Sequence, residues 1–102
     1  MATRKERRLA PIHPGQVLQE VLKEAGVTVN ALALSLRVPA NRIGAIVKGQ
    51  RGITADTALR LGRYFGTSAQ IWMNLQAKYD LAATEDSLRN QIEREVLPRT
   101  AA

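Results

Sequence analysis

No cysteine occurs in the 102 residues, which excludes disulfides, thiolate metal sites and cysteine nucleophiles. A single histidine, His13, rules out His-rich metal clusters and leaves one imidazole for acid–base work. No apolar run approaches the ~20 residues needed to span a bilayer. The N-terminus carries charge but lacks the hydrophobic stretch of a signal peptide. Gly44, Gly49, Gly52 and Gly62 match neither Walker nor Rossmann spacing, so no phosphate-cradling loop is expected. Glu20 and Glu24 stand four apart on the polar face of an amphipathic segment, where a carboxylate pair is simply solvated. Catalysis, a metal and a cofactor are therefore not expected. The length fits one domain, and 45% apolar content fits a folded, cytoplasmic, soluble protein.

What the chain does have is an uneven positive charge of +6. Residues 28–66 hold six cations (Arg37, Arg42, Lys48, Arg51, Arg60 and Arg63) against Asp56 alone. Residues 67–102 are close to balanced, with four cations and five acids. A basic middle with a neutral tail points either to one face built for a polyanion, most simply nucleic acid, or to charge that merely aids solubility.

Every long segment has helical periodicity. Pro14 suits a first helical turn, and Val17, Leu18, Val21, Leu22 and Ala25 form an apolar stripe that Gly26 terminates. Thr28 can cap a second helix with Val29, Leu32, Ala33 and Leu36 on its apolar side. Pro39 disfavours helical geometry at Val38, so a break falls there. A third helix is predicted over about 40–48, stopped by Gly49, and a fourth from Ala55 to Gly66 with Thr54 as its cap. A fifth starts at Thr67 or Ser68 and runs to about Ala82. A sixth begins near Glu85, where Glu85 and Asp86 suit the positive end of the helix dipole, and ends at Pro98. The fold class is all-α, a bundle of five to six short helices.

The segments 28–36 and 40–48 have the proportions of a helix-turn-helix motif. Ala33 is small where the two helices must approach, and Val38, Ile43, Ile46 and Val47 can share the core. At ~100° per residue, Asn41, Ala45 and Lys48 fall opposite Ile43, with Arg42 and Gly44 beside them and Ala40 at the tip. Ala40, Asn41, Arg42 and Ala45 are the candidate DNA base contacts, because Asn and Arg make bidentate contacts with adenine and guanine. A small Ala45 admits the helix deep into a groove. Thr28, Lys48 and Arg51 are the candidate phosphate contacts, which position without specifying sequence. A plain solvated helix face is the alternative.

Three ordered stretches carry a family likeness: His13-Pro14-Gly15-Gln16-Val17-Leu18, Val38-Pro39-Ala40-Asn41-Arg42-Ile43, and the run from Gly49-Gln50-Arg51-Gly52-Ile53-Thr54 through Leu61. With Gly66-Thr67-Ser68-Ala69-Gln70-Ile71-Trp72-Met73-Asn74-Leu75-Gln76, they resemble the HigA/VapI family of antitoxins. The resemblance spans about residues 12–82. It implies a lambda-repressor-like, Xre-type helix-turn-helix fold and a homodimer that binds a palindromic operator in double-stranded DNA. It also implies repression of its own operon and neutralisation of a HigB-type toxin, an mRNA-cleaving ribonuclease. Two positions depart from the pattern of Xre-type domains. Val29 stands where many have Gln, and Arg37 where many have a turn Gly.

The domain plan expected is a flexible basic segment over 1–11, the helix-turn-helix domain over 12–82 with its motif at 28–48, and a C-terminal helix and tail over 83–102. Arg4, Lys5, Arg7 and Arg8 fit an arm that follows the DNA backbone or enters a minor groove, a contact with the acidic surface of a partner, or no specific role. Nonspecific backbone attraction is the reading favoured. In the fifth helix, Ile71, Trp72, Leu75 and Tyr79 share one side, whereas Met73, Ala77 and Leu81 face the other. The second apolar side is the candidate dimer interface, unless the sixth helix folds back over it. Two other readings stand beside the antitoxin: a stand-alone transcriptional regulator, and a protein-interaction module with a vestigial helix-turn-helix.

Overall fold

His13 starts the first helix by giving its side chain to the backbone. Its Nδ1 accepts the Gly15 N–H at 2.9 Å, and Gln16 Oε1 accepts the His13 N–H at 3.1 Å. This reciprocal capping box satisfies donors that a helix start otherwise leaves orphaned. The helix, α1, covers Pro14–Ala25 and ends at Gly26 in the left-handed conformation, φ 69°. The computed structural model describes residues 10–100; the Arg4, Lys5, Arg7 and Arg8 cluster lies outside the described residues.

Four helices follow: α2 Val29–Leu36, α3 Ala40–Val47, α4 Ala55–Phe65 and α5 Ala69–Glu95. No strand occurs among the described residues. Thr28 Oγ1 caps α2 by accepting the Ala31 N–H at 3.1 Å, and Ser68 Oγ caps α5 through Ile71 N–H. Thr54 sits at the cap position of α4, yet its side chain makes no capping bond, so the expected cap is positional only.

Leu18, Leu22, Leu32, Leu36, Ile43, Ile46, Ile53, Leu61 and Trp72 form one buried cluster with Ala33 and Ala58. It joins α1 to α3, α2 to α3 and α4, and α5 to α1 and α4. Truncating a fully buried member such as Leu32 to Ala should cost about 2–5 kcal/mol. The start of α1 lies directly against the end of α3. A methyl group at Gly15 would collide with the carbonyl oxygen of Ile46, so only glycine allows that approach.

The separate fifth and sixth helices predicted from periodicity are one continuous helix of 27 residues, about 40 Å long. Glu85 and Asp86 do not open a new helix. No Gly or Pro interrupts 69–95, and Glu85 pairs with Arg89 at 3.2 Å at the i,i+4 spacing that supports a helix interior. A straight-through α5 cannot fold its end back over its own beginning. Its first half packs on the core through Trp72, Met73 and Leu75, whereas almost everything after Ala83 is exposed. Ile71, grouped by sequence with the inward residues, is half exposed. The boundary expected at 82/83 falls inside this helix.

Candidate nucleic-acid interface

Two short helices and a three-residue turn fix the site. Ala33 is buried at the closest approach of α2 and α3, and Val38 in the turn packs against the same core. Arg37 closes α2 at φ 61°, ψ 44°, the one non-glycine residue with positive φ among those described. Its N–H bonds back to the carbonyls of Ala33 and Leu34, so Arg37 performs the glycine's role at some conformational cost.

With Ile43 and Ile46 buried, the opposite face of α3 is turned outward. Ala40, Asn41 and Lys48 are exposed, and Gly44 and Ala45 half-buried. A methyl group at Gly44 would meet nothing within 4 Å, so no other helix of the described residues covers this face. The strip is small in profile and open.

Arg42 lies on the flank of α3 beside α4. Its Nη1 donates to Asp56 Oδ1 at 3.1 Å, and only 24% of its side chain is exposed. The same Asp56 oxygen accepts from Arg60 Nε at 2.6 Å, and Arg60 Nη1 donates to the Leu36 carbonyl at 2.8 Å, at the end of α2. Arg60's hydrogen bond, with the charges of Arg60 and Arg42, holds the Asp56 carboxyl below the usual aspartate range, against a smaller opposing effect of desolvation. An ion-paired chain thus ties the end of α2 and the start of α4 to α3.

The candidate phosphate contacts are all exposed. Thr28 stands exposed at the start of α2, Lys48 at the end of α3, and Arg51 on the loop that follows. That loop is held from α5. Gln76 Oε1 accepts the Ile53 N–H at 2.7 Å, and its amide lies where a side chain at Gly52 would press. Gln76 Nε2 in turn donates to Asp80 at 2.9 Å.

Sequence reasoning gave no role to Asp56, Arg60 or Gln76. The four-residue spacing of Asp56 and Arg60 is a legible helix pair. The link from Gln76 to Ile53 spans 23 residues and has no local signal. Of the residues proposed for a dimer contact, Met73 packs against the core, whereas Ala77 and Leu81 are exposed. No group of His, Asp or Glu among the described residues could hold a metal ion, and no helix is long and apolar enough to cross a membrane.

The tight turn, the close-packed helix pair and the open, cation-flanked outer helix define a helix-turn-helix protein. Residues 18–72 match the helix-turn-helix family model. The chain is similar to Virulence-associated protein I of Dichelobacter nodosus, 53% identical over 78% of this chain and 75% of that protein. It is also similar to antitoxin HigA-1 of Vibrio cholerae serotype O1, 32% identical over 86% of this chain and 83% of that one. A solved structure of the Pseudomonas aeruginosa antitoxin HigA with the higBA promoter superposes with a TM-score of 0.85 at 52% identity, covering 88% of this chain and 99% of that one. The chain belongs to the HigA/VapI family of Xre-type helix-turn-helix proteins.

Proposed function

We propose that this chain is a cytoplasmic, non-enzymatic antitoxin that binds an operator in double-stranded DNA, represses its own operon and neutralises a HigB-type mRNA-cleaving toxin. The observation that carries the DNA-binding reading is the open outer face of α3, in a segment, residues 28–66, that holds six cations against one acid. The likeness to an antitoxin HigA solved with its promoter supports the same reading. Asn41, Arg42 and Ala45 are the groups for base edges, with Ala40 at the tip and Arg42 reaching in from the flank. Thr28, Lys48 and Arg51 position the helix on phosphates.

The second copy expected in such a repressor docks on the exposed side of α5 that runs from Ala77 onto its projecting half. Ala77, Leu81, Leu88 and Ile92 fall within one narrow sector of that helix at ~100° per residue, and Leu81, Leu88 and Ile92 are 73%, 38% and 46% exposed. Met73 serves the core instead. A dimer built there carries two recognition helices, matched to half-sites about 34 Å apart in a palindrome.

A gel shift on the DNA upstream of the chain's own gene tests the reading. Asn41→Ala combined with Arg42→Ala should abolish the shift, and a retained shift overturns the assignment. Co-expression with the product of the neighbouring gene tests the antitoxin role. A chain that neither binds nor protects against that product is a stand-alone regulator.

A further inference from the structure

Asp56 is an unexpected residue for its surroundings. It is the one acid among residues 28–66, and half its side chain is exposed beside the face turned toward a polyanion. A carboxylate there repels phosphate, which weakens general attraction to DNA. Its place in the first turn of α4 suits the helix dipole, and its half-exposed ion pairs add little beyond that, because water and salt screen them. Its geometry points to another use. Arg60 is fixed from below by the Leu36 carbonyl at 2.8 Å, Arg60 fixes Asp56 at 2.6 Å, and Asp56 reaches across to Arg42 at 3.1 Å. The relay ends on a guanidinium at the edge of the recognition strip.

We propose that Asp56 is a positioning residue for Arg42, holding its guanidinium at the flank of α3 so that it reads base edges instead of collapsing onto backbone phosphate. The inference rests on the DNA-binding reading above. A free arginine has a long, mobile stem and satisfies itself on any nearby phosphate, an interaction that carries no sequence information. Held by one carboxylate oxygen, Arg42 keeps most of its N–H donors for a ligand and loses the freedom to swing away. Asp56 thus exchanges general affinity for discrimination.

The full chain is tested on two probes. One is a duplex selected by the wild-type chain from a random library; the other is a scrambled duplex of the same length and composition. Asp56→Asn should lower the ratio of selected to scrambled affinity about tenfold while leaving scrambled binding equal or tighter. The salt slope on the scrambled duplex should steepen by up to about one ion. Asp56→Ser, which also removes the carboxylate and suits a first helical turn, should act alike. In an Arg42→Gln background, Asp56→Asn should change the ratio no further. A merely structural Asp56 would weaken both probes equally, and an unchanged ratio in either variant overturns the proposal. If the wild-type chain enriches no sequence, the DNA-binding reading itself falls, and this inference with it.

Discussion

Gln76 accepts the backbone N–H of Ile53 at 2.7 Å, joining the long last helix to the loop that carries Arg51. Ile53 is buried and its bond to Gln76 is part-buried, so losing that partner leaves the N–H poorly satisfied. Gln76→Ala should cost about 1–3 kcal/mol and raise amide exchange across residues 49–53. Asp80→Asn removes the neighbouring carboxylate, and in that background Gln76→Glu, which keeps an acceptor, should cost less than Gln76→Ala. Hydrogen exchange with thermal melts checks both, and equal behaviour of the two variants would show that the acceptor is unimportant.

Arg37 occupies a left-handed position that glycine adopts more easily. Arg37→Gly should remove about 1–2 kcal/mol of strain and return part of it as unfolded-chain entropy. The expected outcome is a melting point raised by a few degrees or unchanged. A clear fall would mean that the Arg37 side chain makes a stabilising contact that outweighs its backbone strain.

The Asp56 carboxyl is held below its ordinary range, first by the hydrogen bond from Arg60. A lowered folded-state pKa means that its contribution is complete above the unfolded value and disappears as the pH falls through the folded one. The Arg42–Asp56–Arg60 chain should therefore persist at neutral and mildly acidic pH and break only in stronger acid. A carboxyl-carbon NMR titration should place the Asp56 midpoint below that of an unstructured peptide, and Arg60→Gln should move it upward. A midpoint that ignores Arg60 would contradict the assignment of cause.

Leu88 and Ile92 are the exposed apolar residues on the projecting half of α5. Changing both to Glu should leave helicity and the core intact, since neither belongs to the buried cluster. Sedimentation should then report monomers where the wild type gives dimers. A double variant that still dimerises would place the second copy elsewhere.

Much of the fold was legible because punctuation residues mark it. Gly26, Pro39 and Gly66 end or separate helices where the sequence places them, and Thr28 and Ser68 cap as their hydroxyls allow. Glu85 misled because an acid suits both a helix start and an i,i+4 pair inside a helix. Arg89, four residues on, makes the second use the real one. The outward strip of α3 followed from rotation about Ile43 alone. The groups that hold the site, Asp56 on Arg42 and Gln76 on Ile53, are 14 and 23 residues from their partners. Helical periodicity relates only neighbours three or four residues apart, so these links emerge when α4 and α5 pack.

Backbone amide NMR with the upstream duplex tests the central claim most directly. On addition of the duplex, shifts should concentrate at residues 28–30, 40–48 and 51, with Asn41, Gly44 and Ala45 among the largest. Shifts confined to the far side of α4 or to α1, with 40–48 unmoved, would contradict it.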